Sequence, residues 1–137
     1  MDTTIKKKSD LMNVSIWIAQ GLLALLYLMA GANKSFESIE ELSKMLPWVL
    51  NVAPELVRFI GVCELLGSIG LILPSVLRIK PILTPIAALG LGIIQILAAV
   101  FHSTNGEISV IGVNFVFLTI SVFVAWGRYK KSPIISK

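Results

Sequence analysis

One cysteine, Cys63, and one histidine, His102, stand in a chain of 137 residues, and that scarcity excludes several chemistries at once. A lone cysteine closes no intrachain disulfide and forms no CxxC redox pair. It cannot hold an iron–sulfur cluster, and a lone histidine cannot provide paired haem ligation. No metal site is read from the residues. Cys63 reads as a small packing residue in an apolar run, although it stands beside Glu64. Charge is scarce as well: 15% of residues are charged and 55% are hydrophobic, where soluble domains average about 25% and 45–50%. The mean hydropathy of +0.85 is too high for a small soluble core, because most of a small domain remains surface. Also missing are a P-loop, a GxGxxG turn, an internal repeat and any low-complexity tract.

What the chain does have is four apolar runs long enough to span a bilayer, which takes about 20 residues as a helix. They cover roughly 15–33, 56–75, 82–101 and 108–126. They are about twice the length of a barrel strand and do not alternate, which argues against a membrane β-barrel. The connections after the second and third runs are short, "RIKP" at 78–81 and "HSTNGE" at 102–107, and short connections make neighbouring helices antiparallel. The expected fold is all-α: an up-down-up-down four-helix transmembrane bundle forming one domain over 1–137.

Of the twelve basic residues, nine (Lys6, Lys7, Lys8, Arg78, Lys80, Arg128, Lys130, Lys131, Lys137) fall on one expected side and three (Lys34, Lys44, Arg58) on the other. Lys and Arg accumulate in short cytoplasmic loops, so both termini are expected in the cytoplasm. The net charge of +4 then reflects the membrane surface, with lipid as the partner, and is not a nucleic-acid signal. "KKK", an apolar run and "AGA" at 30–32 also resemble a cleavable signal. That run is long for a signal, and cleavage would leave three spans with the wrong charge bias, so the first span is expected to stay.

Residues 34–55 form the one substantial loop. Phe36, Ile39, Leu42, Met45 or Leu46, and Val49 recur at helical spacing with Glu37, Glu40, Glu41 and Lys44 between them. This predicts an amphipathic helix lying in the interface, with Ser38 and Glu41 placed for a capping box, Pro47 ending it, Trp48 as a headgroup anchor and Pro54 opening the next helix. Two roles stay open for it: a surface-adsorbed connector, or a lid over an outward-facing cavity.

Inside the spans the polar residues are few and patterned. Helix one carries Gln20, Ala24, Tyr27, Gly31 and Lys34 on one stripe, and helix two Gly61, Glu64 and Gly67 or Ser68. Helix three carries Gln95 and His102, and helix four Asn114 and Ser121. Small and polar residues face other helices, not lipid, and Gly90 and Gly92 are read as packing residues that leave a homo-oligomer open. At 1.5 Å per residue, Glu64 lies roughly 12 Å below Leu56, Gln95 about 10 Å below His102 and Asn114 about 9 Å below Ile108. Three helices thus offer a polar side chain at one depth, with Lys34 and His102 above. An unpaired carboxylate there costs several kcal/mol, and intramembrane ionisable groups usually pair and mark function. Lys34 is the expected counter-charge and His102 the second.

"GANKSF" at the end of helix one resembles the G-x-x-K ending of the first helix in the DoxX-like family of small four-helix membrane proteins. "ELLGSIGLIL" resembles that family's second-helix E-x-x-G-G-x-x-L signature. The histidine closing helix three, the Gly-Glu turn and the asparagine in helix four fit too, placing Lys34, Glu64, Gly67, His102 and Asn114 at motif positions; Ser68 replaces the second glycine. The resemblance implies a multi-pass protein of the bacterial inner membrane, redox-associated and linked to quinone. Electron transfer would then need a partner oxidoreductase subunit or a bound quinone. A ligand or proton site of Lys34, Glu64, Gln95, His102, Asn114 and Tyr27 is the first functional reading, and no catalytic residue is assigned. The other readings are a non-catalytic scaffold whose polar cluster only fixes packing and, less favoured, a proton-coupled transporter, for which four unbroken helices offer little machinery.

Overall fold

The computed structural model describes residues 2–137. Among them are five α-helices and no strand: α1 (Thr3–Phe36), α2 (Ile39–Met45), α3 (Pro54–Leu77), α4 (Leu83–Thr104) and α5 (Ile108–Trp126). A 3₁₀ turn, Pro47–Asn51, follows α2, and a π-helical turn, Gly127–Lys131, follows α5. Four helices are long and apolar enough to cross a membrane: α1, α3, α4 and α5 with its π-helical extension. Their large apolar side chains largely face outward: Leu22, Leu25, Phe59, Leu66, Ile93, Leu97 and Phe115 are all exposed. Such a surface suits lipid, where an apolar exterior carries no penalty.

The helix limits follow from local chemistry. Asp2 caps α1, its carboxylate accepting from the Thr4 amide at 3.1 Å. Because α1 starts twelve residues before the apolar run, it is about 51 Å long, well beyond the ~30 Å hydrocarbon core. Ser38 Oγ accepts from the Glu41 amide at 3.2 Å to start α2, and Pro47 opens the 3₁₀ turn that follows its end. Pro54 stands in the first turn of α3, where its missing N–H is not needed. α3 ends at Arg78 in the left-handed region (φ 56°), and the turn after α4 closes through Gly106 (φ 75°).

The bundle is built as two pairs. α1 lies most extensively against α3, and α4 against α5. Small residues set these approaches: a Cβ on Gly31 would lie 2.8 Å from Gly61 O, and one on Gly61 would lie 2.7 Å from Ser35 Oγ. Ser68, in the place of a glycine, donates its hydroxyl to Ala24 O at 2.7 Å, so the side chain is spent on the neighbouring backbone. The pairs meet at one end of the molecule. A Cβ on Gly67 would run into Leu91 at 2.5 Å and one on Gly70 would approach Ala87 at 2.9 Å; Ser75 and Thr84 hydroxyls lie 2.8 Å apart. Leu23, Tyr27, Leu71, Ala88, Leu91 and Val124 form the buried core there. Gly92 is buried and a Cβ there would lie 3.5 Å from Leu118, whereas Gly90 is exposed and a Cβ there would meet nothing within 4 Å, so the expectation of a packing role holds for Gly92 and fails for Gly90.

The connecting segment has its own small core, Leu42, Val49 and Val57. Part of its apolar face is therefore spent on α3, while Phe36 and Met45 stay exposed.

Candidate functional site

Gly31 and Lys34 on α1 repeat the spacing of Gly61 and Glu64 on α3. The two glycines bring the backbones together, and one turn on the two charges meet. Lys34 Nζ donates to Glu64 Oε2 at 2.7 Å, with both residues buried, at 8% and 3% exposure. Arg58 Nη1 donates to Lys34 O at 2.7 Å, tying the end of α1 to the first turns of α3. A second polar group sits across from this pair. Gln95 Nε2 donates to Tyr27 Oη at 2.8 Å, and Tyr27 Oη donates to Leu91 O at 3.5 Å. The Tyr27 ring stands edge-on to Phe117 at 5.3 Å, which links α1 to α5. Asn114 on α5 is 7% exposed, and its Nδ2 has no partner.

His102 does not serve as the expected second counter-charge to Glu64. Its Nδ1 lies 2.5 Å from Glu107 Oε2, across the turn that Gly106 closes. Its ring also stands edge-on to Trp48 at 6.2 Å.

These residues surround one cavity of about 710 Å³, lying between the two helix pairs at the end away from their junction. Lys34, Glu64, Gln95, His102, Asn114 and Tyr27 all line it, and so does Cys63. The rest of the wall is apolar, with Phe59, Ile60, Leu97, Phe101, Val113 and Phe117 prominent. Met45, Leu46, Trp48 and Val52 of the connecting segment complete it. A volume of that size with apolar walls and a few converging polar groups has the usual build of a small-molecule site. Among the described residues no group of three or more His, Cys, Asp or Glu is placed to hold a metal ion.

A separate polar cluster at the other end escaped sequence reading. Arg128, 3% exposed, donates from Nε to Gln20 Oε1 at 2.7 Å and from Nη1 to Asn13 Oδ1 at 2.8 Å and Ser132 O at 3.1 Å. Gln20 Nε2 in turn donates to Leu71 O, and the guanidinium lies 4.6 Å from the Trp17 ring centroid. In the sequence Arg128 is one more basic residue near a terminus; Gln20 lies 108 positions away, and no spacing rule joins them. Gly127 makes the contact possible, since a Cβ there would lie 2.6 Å from Ile16 Cδ1.

A family model described as the DoxX-like family matches residues 18–124, which covers α3 and α4 whole and most of α1 and α5. No curated protein and no solved structure matches the chain.

Proposed function

The chain belongs to the DoxX-like family and is a multi-pass integral membrane protein; on that footing, we propose that it is a redox-associated, quinone-linked subunit whose cavity binds a small lipophilic molecule or exchanges protons with it. The observation that carries this reading is the cavity itself. A polar clasp that only fixed helix register would be packed tight, as at Gly67, Gly70 and Ser75, whereas Lys34, Glu64, Gln95 and Asn114 border about 710 Å³ of space.

The topology that goes with this function is up-down-up-down, with both termini in the cytoplasm of a bacterial inner membrane and the 34–55 segment at the outer interface. The site then lies in the outer half of the bilayer. A quinone head suits its walls: aromatic and aliphatic side chains on most sides, and an unpartnered amide donor at Asn114 for a carbonyl oxygen. When bound, a quinone supplies a carrier of two electrons and two protons, and a partner oxidoreductase subunit would exchange the electrons. The chain's own residues would hold and orient the head through Asn114 and Gln95, exclude water with Trp48 and Phe101, and place the Glu64–Lys34 pair for proton exchange.

The test is mass spectrometry of small molecules retained by the purified protein, wild type beside Glu64→Gln. A lipophile enriched with wild type and lost from the variant is the expected result. Equal retention, or none in either, would leave the scaffold reading in its place, with the Lys34–Glu64 pair serving only to join α1 to α3.

A further inference from the structure

Resting on the reading of this cavity as a ligand site, we infer that its ligand is a neutral amphiphile dissolved in the membrane, which enters sideways through the seam between α3 and α4 and not from the water above. The seam changes character along its length. At the end carrying Arg78 it is shut by close approach of Gly67 to Leu91 and Gly70 to Ala87 and by the Ser75–Thr84 hydrogen bond. At the other end the same helices separate, and the residues facing each other across the gap line the cavity instead. Phe59 on α3 and Leu97 on α4 belong to this wall and are 66% and 64% exposed; Met29 on α1 and Val113 on α5 also line it and are exposed, but their seam is bridged by the edge contact of Tyr27 with Phe117 at 5.3 Å. The barrier between cavity and lipid is therefore a single layer of side chains that no other helix backs. The water-facing end is built differently. Trp48 reaches across to stand edge-on to Phe101 and His102, its segment is anchored by the buried Leu42, Val49 and Val57, and His102 is itself held by Glu107.

The polar inventory sets the class of ligand. Glu64 and Lys34 satisfy each other, so a charged head has no free counter-charge in that pair. Of the four buried side-chain polar atoms without a partner among the described residues, only Asn114 Nδ2 lies on this cavity. It is a neutral donor, matched by a carbonyl, ether or ester oxygen at the head of an otherwise apolar molecule.

Cys63 provides the test, because it lines the cavity and is the chain's one thiol. Protein in neutral phospholipid vesicles is treated with N-pyrenylmaleimide, which partitions into lipid, or with a sulfonated maleimide, which stays in water. Each rate is divided by that of the detergent-unfolded protein to remove intrinsic reactivity. The expected result is a normalised rate at least ten times greater for the lipophilic reagent. Leu97→Trp should slow it several-fold at an unchanged unfolding temperature, while Leu50→Trp, on the water-facing segment and outside the cavity lining, should leave it unaltered. Equal normalised rates would mean entry from water and overturn the inference; so would a folded protein that neither reagent labels, since the seam would then be sealed. Labelling reads the route and the Glu64→Gln retention comparison reads the ligand, so either result can fail without the other.

Discussion

Lys34 and Glu64 form a buried ion pair 2.7 Å long, and such a pair is tolerated only while both members are present. Removing one leaves an uncompensated charge, which costs about 3–5 kcal/mol, whereas replacing both with apolar groups of similar volume is often neutral or stabilising. Lys34→Ala should therefore lower the thermal unfolding midpoint in detergent sharply, and Lys34→Met combined with Glu64→Leu should restore it. Failure of the double variant to recover would mean that the pair has further partners in the fold. Asn114 poses the reverse case. Its Nδ2 is buried without a partner, a condition that costs about 1–3 kcal/mol. Asn114→Leu, which keeps the branched shape and adds only methyl bulk toward the cavity, should leave the unfolding midpoint unchanged or raise it while reducing the retained lipophile. A residue kept at a cost to stability is one that something other than folding requires. Ser121 Oγ and Ser35 Oγ are also unpartnered, but neither borders the cavity, so the same argument does not reach them.

At the scale of helices, substitutions separate glycines that look alike in sequence. Gly31→Ala would place a methyl group 2.8 Å from Gly61 O and 2.9 Å from Leu65 N. Backbone atoms cannot step aside, so a loss of about 1–3 kcal/mol is expected, as for other overpacked contacts. Gly90→Ala meets nothing within 4 Å and should be neutral, or favourable by up to about 1 kcal/mol through helix propensity. Paired thermal unfolding curves check both, and equal shifts would refute the close approach of α1 and α3. This contrast also marks how far the sequence could be read. Hydropathy and prolines locate the long helices, and the rise per residue is enough to bring Glu64, Gln95 and Asn114 to a common depth. Neither says which neighbour a side chain takes. His102 turns to Glu107 because Gly106 reverses the chain between them, a matter of one backbone angle. Gly90 and Gly92 point to different sides of α4, and only the position of α5 decides which is packed. The cavity has no signature at all, since a volume is defined by where helices fail to meet.

For the whole molecule, the two helix pairs are clamped at the end that carries most of the positive charge and part at the end that carries little. Arg128 reaches Gln20 and Asn13 on α1, Gln20 reaches Leu71 O on α3, and the chain end folds back so that the Lys137 amide donates to Arg78 O at 3.1 Å. Lys6, Lys7, Lys8, Arg78, Lys80, Lys130 and Lys131 surround this clamped end in the charge pattern that proteins keep in the cytoplasm. The open end, with Glu37, Glu40, Glu41 and Glu55 around the connecting segment, should face away from it. In a Cys63→Ser background, a cysteine at Glu40 should react with a membrane-impermeant maleimide on intact cells, and one at Lys130 should react only after permeabilisation; both positions are exposed. The reverse pattern would put the cavity in the cytoplasmic leaflet and would move any electron-transfer partner to the opposite side of the membrane. A mixed pattern, with both cysteines labelled in intact cells, would overturn the three crossings, by α3, α4 and α5, that separate Glu40 from Lys130 in the two-pair architecture.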